Sequence, residues 1–462
     1  MIQVTSDKED NFINPNKLEP LGIEYIGACV QNSGYDVEIF SDSFDNIQNI
    51  VEKIKKDKVN VVGISTFTHS YKKGLEIAKK IKKSNEGVKI VFGGVHASSC
   101  PEIIRDDAID YVVAGEGEKT FIKLLNAMFN DLSLDRINGI VHKSSNNFGL
   151  PQRIDIVENL DDFNENPYPL RRNDIIKASK IYGLIYPVPS DQSGVALILY
   201  SRGCKYKCDY CSLSLIFGNK VRFRNTDNVA MEIKNLVREY NVNLLYFVDA
   251  NFNNSKNQVL SLCDKIIKEK LDLNWYALCS INGFDQQILE YMSKAGCKKI
   301  GVGIETVNPD KIRKIKNCDM NEVKEVLNVA DKLGIIIKGF FMLGFPWEKP
   351  EEIEEMPELL AEIAIDELSI SFYTPFPGTI SYKLFNRRLE TDDFDKFTTN
   401  EPVIMHDLIS RERYIDLRNF IYKNFYKSIL YHQRIESKMI RYPYLKESYH
   451  IFFNELINEG II

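Results

Sequence analysis

Short apolar runs alternate with amphipathic stretches over the first 150 residues. Residues 1–5 are a short β-rich start, 21–32 carry apolar residues at helical spacing, and Gly34-Tyr-Asp-Val-Glu-Ile-Phe40 reads as a strand. An amphipathic helix is predicted at 47–56, a buried strand at 59–65 and a Lys-rich helix at 71–83. A strand at 88–92 ends in Gly93-Gly94, and one at 111–114 ends in Gly115-Glu-Gly-Glu118. This β-α rhythm with continuous Val/Ile runs predicts a doubly wound parallel sheet covered on both faces. Ligands of such sheets sit beyond the carboxyl ends of the strands. The residues there are Ser65, Thr66, Phe67, Thr68 and His69; Gly93, Gly94, Val95 and His96; and Gly115, Glu116 and Gly117.

The pattern breaks between 150 and 190, where Pro151, Pro167, Pro169, Pro187 and Pro189 and the acidic cluster 155–165 predict a linker. A second alternating series follows, with strands expected at 195–200, 244–249, 275–280, 299–305, 334–344 and 367–373. Helices are expected between them at 228–239, 257–268, 286–295, 321–332 and 351–363. Six strand–helix units predict a partial (β/α)6 barrel. The last 70 residues read as helical, aromatic and locally basic. The expected domains are therefore 1–145, a linker at 146–192, a barrel at 193–390 and a helical cap at 391–462.

Composition sharpens this picture in three places. At 462 residues the chain is longer than one compact core usually holds. A net charge of -6 gives no overall field to attract nucleic acid or an anionic membrane, so neither is an expected partner. No apolar stretch reaches the roughly 18 residues of a membrane span, and the acidic, polar start lacks a signal-peptide core. A cytoplasmic enzyme is expected, and nine cysteines in such a chain argue against a disulfide framework.

Three of the nine stand together as Ser201-Arg-Gly-Cys204-Lys-Tyr-Lys-Cys208-Asp-Tyr-Cys211, directly after a predicted strand. Three thiolates on one loop can hold three irons of a [4Fe–4S] cube and leave the fourth iron open. Zinc is the main rival, although a structural zinc takes four ligands and no second cysteine pair lies nearby. Three buried packing cysteines are the remaining alternative. Cys29, Cys100, Cys263, Cys279, Cys297 and Cys318 are expected to be packing residues. Cys279 alone ends a barrel strand near the predicted site.

Residues 204–211, with Tyr210 at the aromatic position, resemble the signature of the radical S-adenosylmethionine (SAM) superfamily. The resemblance implies a cluster ligated by Cys204, Cys208 and Cys211, with SAM bound at the open iron. Reductive cleavage would then give methionine and a 5′-deoxyadenosyl radical that abstracts hydrogen from substrate. Gly301-Val-Gly-Ile-Glu305 looks like the strand motif whose glutamate addresses the SAM ribose, with Gly301 and Gly303 lining SAM. Tyr246-Phe-Val-Asp249 resembles a second-strand motif ending in an acid near the site, or Asp249 is an ordinary helix cap. Phe340-Phe-Met-Leu-Gly-Phe-Pro346 resembles the fifth-strand turn, or is plain turn chemistry. One departure stands out. Related sequences commonly carry an arginine just after the third-strand tryptophan, whereas Trp275-Tyr-Ala-Leu-Cys-Ser280-Ile-Asn282 has none, which passes its task to Ser280, Asn282 or another residue.

Residues 1–125 look like the cobalamin-binding domain found ahead of many such barrels, through Pro20-Leu-Gly22, Gly34-Tyr-Asp-Val, Val61-Val-Gly-Ile-Ser65-Thr66, Gly93-Gly-Val-His96 and Gly115-Glu-Gly-Glu118. Glycine-ended strands let the corrin's nucleotide tail lie against backbone. No Asp-x-His-x-x-Gly motif is present to put a histidine under cobalt; His69 and His96 are the candidate contacts. The two-part layout implies methylation of an unactivated carbon in a biosynthetic small molecule. The partners are then that substrate and an external electron donor such as flavodoxin or ferredoxin. The alternative is a radical SAM deoxygenase, dehydratase or rearrangement enzyme, for example on a sugar or aminoglycoside, whose cobalamin-like domain binds no corrin. Between 411 and 446 nine Lys or Arg stand against three acids with tyrosines interleaved. A nucleic-acid module could be built that way, but aromatics packed on the barrel with cations turned outward are the expected arrangement.

Overall fold

The computed structural model describes residues 1–5, 17–143, 154–162, 168–187 and 194–462. Pro151, Pro167, Pro189, residues 163–165 of the acidic cluster and both expected linker junctions lie outside the described residues. Among those described, the strands are β1 (Ile2–Val4), β2 (Phe40–Ser41), β3 (Val61–Thr66), β4 (Lys89–Gly93), β5 (Tyr111–Val113), β6 (Ile140–His142), β7 (Gly194–Ile198), β8 (Ser201–Arg202), β9 (Arg222–Phe223), β10 (Val242–Phe247), β11 (Asn274–Ser280), β12 (Cys297–Glu305), β13 (Ile336–Leu343) and β14 (Glu367–Phe372).

The first sheet has the order β2-β1-β3-β4-β5-β6 and is parallel except at β6. Its helices turn Ile50, Ile54, Ile77 and Ile81 onto Ile64, Ile90 and Phe92, each at most 4% exposed. The strand expected over 34–40 shrinks to two residues. Its neighbour among the described residues, β1, offers partners at Ile2 and Gln3, opposite Phe40 and Ser41. The antiparallel β6 carries too few residues for a periodic signal and was not expected.

The second sheet, β14-β13-β12-β11-β10-β7, is parallel throughout and curls into a half-barrel. All six strands and their intervening helices fall where the alternation predicts. The exception is the helix expected over 351–363, which is split into Pro350–Glu354 and Met356–Ala361. Pro357 has no N–H with which to continue the first of them. The helix Pro309–Lys316 and the small β8–β9 pair were not expected. Residues 181–185 close the amino-terminal end of the half-barrel. Lys299 donates to the Leu184 carbonyl (2.6 Å) and to Glu367 (2.5 Å), while Leu184 N–H donates back to Glu367 (3.1 Å).

The tail forms three helices, Arg411–Lys427, Ile429–Arg441 and Lys446–Asn458. They cover β14, an edge strand whose outward N–H groups need acceptors. The Tyr426 and Tyr422 hydroxyls supply them, taking the N–H groups of Leu368 and Ile370 at 2.8 Å each. The aromatics of the tail therefore pack on the barrel. Two carboxylates fasten the cap: Asp331 pairs with Arg434, Lys438 and Arg441, and Asp366 makes the shorter contacts. Asp366, fully buried, accepts from Ile337 N–H (2.7 Å), Lys438 (2.6 Å), Arg434 (2.9 Å) and Tyr449 (2.9 Å).

Asp366→Asn should leave Lys438 and Arg434 only their longer contacts with Asp331, at 3.3 and 3.6 Å. Breaking such a pair by removing one partner costs about 3–5 kcal/mol. Urea unfolding followed by circular dichroism should show a midpoint well below that of the unmodified chain.

Candidate active site

The cysteine loop leaves β8 through Gly203, whose φ of +89° and 2.3 Å approach of a Cβ to the Lys220 carbonyl exclude a side chain. Cys204, Cys208 and Cys211 are free thiols, the first two half-buried and the third exposed. Among the described residues no three His, Cys, Asp or Glu are placed to hold a single metal ion. Three thiols strung over one loop, one for each of three irons, are the donor set of a [4Fe–4S] cube. The other six cysteines are buried, and burial holds the Cys279 thiol far above its ordinary range, as suits a packing residue.

The loop is anchored from β10. Asp249, fully buried, accepts from Tyr200 N–H (3.1 Å), Ser201 N–H (2.5 Å) and the Ser201 hydroxyl (2.5 Å). Burial pushes its carboxyl up to about 6. Its carboxylate thus faces the start of the cysteine loop, and it is not a cap of the following helix. Asn254, which no sequence signal marked, donates to the Gly203 carbonyl (3.2 Å) and accepts from Lys205 N–H (3.4 Å).

Glu305 ends β12 with φ +70°, a left-handed backbone that a glutamate adopts only under constraint. Its carboxylate accepts from Lys316 at 2.7 Å. Gly301 and Gly303 leave necessary space. A Cβ at 301 would lie 2.6 Å from the Tyr276 hydroxyl, and one at 303 would lie 2.8 Å from Glu305 Oε1. Tyr210 packs edge-on to Tyr373 (6.1 Å), and burial together with the Glu305 charge holds its phenol well above the ordinary range. Ser280 N–H donates to Asn251 (2.8 Å) and Asn253 (2.9 Å). The Asn282 amide donates to the Lys316 carbonyl. The third-strand loop thus positions a lysine that the sequence pattern did not single out.

At the carboxyl edge of the first sheet, the Ser98 hydroxyl ties β4 to β5, donating to the Gly94 carbonyl (2.7 Å) and accepting Gly115 N–H (2.9 Å). Gly94 has φ +89°, and a Cβ there would lie 2.8 Å from the Thr66 carbonyl. Beside this bare cradle the Thr66 hydroxyl is buried without a hydrogen-bond partner. These are features a corrin's nucleotide tail fits. Val95 is half-buried and Thr68 is buried. Phe67 is exposed and stacks on His69 at 5.7 Å. His96 is boxed between Tyr71 (4.3 Å) and Phe394 (5.0 Å) with neither ring nitrogen hydrogen-bonded, and burial lowers it to about 4. Phe394 belongs to a short strap, Phe394–Lys396, that the barrel side lays on this edge, with Lys72 ion-paired to Asp393.

Glu116 and Glu118 face the barrel. Glu116 accepts from Arg222 twice (2.5 and 3.0 Å) and from Val157 N–H (2.6 Å), and Glu118 accepts from Arg202 (2.5 Å). Gly117 opens the helix Gly117–Phe129, where a Cβ would lie 2.5 Å from Ile26. Arg202 stands two residues before Cys204. Two buried ion pairs therefore join the start of this helix to the two strands flanking the cysteine loop. Their partners lie 84 and 106 residues apart in the chain, beyond any local motif.

Comparison with known proteins accords with this arrangement. A model of the radical SAM superfamily matches residues 198–360, and a model of the B12 binding domain matches residues 15–125. An uncharacterized methyltransferase of Pyrococcus horikoshii is 30% identical over 414 residues, which cover 88% of this chain and 87% of the relative. The chain is a radical SAM enzyme with a B12-binding domain. Membership brings a [4Fe–4S] cluster and SAM with the barrel, and cobalamin with the first sheet. The anaerobic magnesium-protoporphyrin IX monomethyl ester cyclase of Rubrivivax gelatinosus is 24% identical over 461 residues, 94% of this chain and 79% of the relative. The radical SAM methyltransferase TsrM of Kitasatospora setae shares the fold with a TM-score of 0.68 at 17% identity, over 84% of this chain and 77% of that one. No helix among the described residues is long and apolar enough to cross a membrane.

In this radical SAM enzyme the turn after β13 closes on Glu348, which accepts from Gly344 N–H (2.6 Å) and Phe345 N–H (3.2 Å). Phe345 stacks on Trp347 at 4.8 Å, and the Lys311 ammonium lies 4.3 Å from the Trp347 ring. Burial pushes the Glu348 carboxyl up to about 8 from an ordinary 4.5. The folded chain therefore holds this proton more tightly than the unfolded one. Its contribution to stability is full below about 4.5 and declines as the pH rises toward about 8. Glu348→Gln keeps an acceptor for both N–H groups and cannot ionise. Melting temperatures compared at pH 5.5 and 8 should show a smaller drop for the variant than for the unmodified enzyme.

Proposed function

We propose that this enzyme is a cobalamin-dependent methyltransferase acting on an unactivated carbon of a small biosynthetic substrate, with a flavodoxin- or ferredoxin-like protein as electron donor. The observation that carries the reading is the pair of buried ion pairs joining the start of the helix Gly117–Phe129 to the two strands flanking the cysteine loop, Glu116 with Arg222 and Glu118 with Arg202. They set the cradle of the first sheet against the cysteine loop. An enzyme that passes a methyl group from a corrin to a substrate radical needs both centres over one substrate. Similarity over most of the chain to a protein named as a methyltransferase supports the same reading.

When bound, the reduced cluster supplies the electron that cleaves SAM to methionine and a 5′-deoxyadenosyl radical, and cobalamin carries the methyl group. The chain's own residues bind and orient. Cys204, Cys208 and Cys211 hold three irons, and Asp249 and Asn254 fix the loop that presents them. Glu305 accepts the ribose hydroxyls, with Gly301 and Gly303 keeping β12 bare beside it and Tyr210 and Ser280 lining the same mouth. The strand ends at 65–69, 93–96 and 115–117 receive the corrin and its tail. His96, closed in by Tyr71 and Phe394, is a wall residue in this reading.

A ring-forming or rearranging chemistry on the same layout is the second reading, favoured by the similarity to the Rubrivivax cyclase. Protein reconstituted with iron, sulfide and hydroxocobalamin should keep a corrin spectrum after desalting and should form 5′-deoxyadenosine from SAM under reducing conditions. Replacing Cys204, Cys208 and Cys211 by alanine should abolish that product and the brown colour. Loss of all corrin on desalting would overturn methyl transfer. Unchanged 5′-deoxyadenosine formation in the alanine variant would overturn the radical chemistry altogether.

A further inference from the structure

Ile380 and Leu384 are 52% and 64% exposed, although both belong to the helix Ile380–Phe385, which packs against the cysteine loop. Two hydrogen bonds seat that helix. Ser381 N–H donates to the Asp209 carbonyl (3.0 Å), between Cys208 and Cys211, and the Ser381 and Tyr373 hydroxyls meet at 2.5 Å. Residues three and four apart share a helix face, so Lys383 stands beside Ile380 and Leu384, and it too is exposed. Arg387 is exposed in the turn that follows, and Lys207 is exposed on the cysteine loop itself. Among the described residues none of these three cations makes an ion pair, whereas Lys220 and Arg388 are tied to Glu158 and Asp407. Asp209 is the one acid of the loop 203–213. In a chain of net charge -6 this is a local excess of positive charge.

An apolar centre with a charged rim is the anatomy of a protein interface. Its position says what docks there. Glu305 ends β12 on the inner side of the half-barrel, where small ligands belong. An electron carrier has to reach the loop from outside, where Cys211 is exposed. On that side a single hydrogen bond separates the helix Ile380–Phe385 from the backbone between two cluster cysteines. A flavin protein matches the patch. The free edge of a bound flavin ring is a dimethylbenzene hydrocarbon, which suits Ile380 and Leu384. Acidic residues around that edge complement Lys207, Lys383 and Arg387.

We propose that Ile380, Leu384, Lys383, Arg387 and Lys207 form the docking surface for an acidic flavodoxin, which reduces the cluster through the Asp209 turn. One electron leaves the reduced flavin and enters the oxidised cube, and no heavy-atom bond forms or breaks. The assignment rests on the reading of this loop as the cluster loop. Fluorescence anisotropy of a labelled acidic flavodoxin, titrated with full-length, cluster-reconstituted enzyme, measures the docking directly. Lys383→Glu combined with Arg387→Glu should raise Kd about 10-fold or more at low salt and remove most of its salt dependence. Leu384→Ser should raise Kd about fivefold at every salt concentration. Both variants should form 5′-deoxyadenosine from SAM with dithionite as reductant within about twofold of the unmodified rate, which shows that they fold and hold the cluster. Unchanged flavodoxin affinity in both variants would overturn the proposal, as would tighter binding of ferredoxin than of flavodoxin to the unmodified enzyme. A parallel loss of the dithionite-driven reaction would also overturn it, marking the helix as a mere support for the loop. An unmodified enzyme that forms no 5′-deoxyadenosine with dithionite would overturn the cluster reading, and this assignment with it. Product with dithionite but no flavodoxin binding would overturn the docking surface alone.

Discussion

A carboxylate that stays ionised when buried is best held by a cation, and pairs of that kind hold the two halves of this enzyme together. Glu116 and Glu118 lie at the start of the helix that follows β5, and Arg202 and Arg222 lie on the β8–β9 pair that flanks the cysteine loop. None of the four side chains exceeds 6% exposure. Each charge is uncompensated unless the other half is docked. A second group repeats the device, with Arg171 bridging Glu19 and Glu232, and Arg224 closing on Glu232. The hydrophobic effect builds each core, but it has no direction. These pairs supply the register in which the strand ends of the first sheet meet the mouth of the half-barrel.

The parts of this arrangement written in local pattern were legible from the sequence. Continuous Val/Ile runs located β3, β4 and all six strands of the half-barrel, and the spacing of Cys204, Cys208 and Cys211 marked the loop between β8 and β9. Edges were less legible, because a strand as short as β6 or the residual β2 has no period to detect. The 351–363 helix was read through Pro357, where local composition looked helical but the missing N–H prevailed. Lys316 illustrates the harder limit. It sits in a Lys-rich helix whose residues look alike on paper, and only its place at the helix end, turned toward Glu305 by Asn282, sets it apart from Lys311 or Lys314.

Some motif residues do work that their motif did not suggest. Asp249 ends its strand as expected, yet all its acceptor capacity goes to the first residues of the cysteine loop. Glu116, expected among the cofactor-facing residues, has its carboxylate committed to Arg222 and Val157. In both cases the acid acts one layer behind the chemistry. A strand-end carboxylate is as useful for immobilising a neighbouring loop as for touching a ligand, and sequence spacing is the same for either use.

The four-way seat of Asp366 has a further meaning for motion. Its partners come from β13, from two positions on the helix Ile429–Arg441 and from the helix Lys446–Asn458. None of these elements can open alone without leaving a buried charge or N–H unsatisfied. The last strands and the cap should therefore breathe as a single cooperative unit and exchange their amide hydrogens together. That couples the far edge of the half-barrel to the chain's final helices and leaves less costly, independent opening to the segments outside this unit.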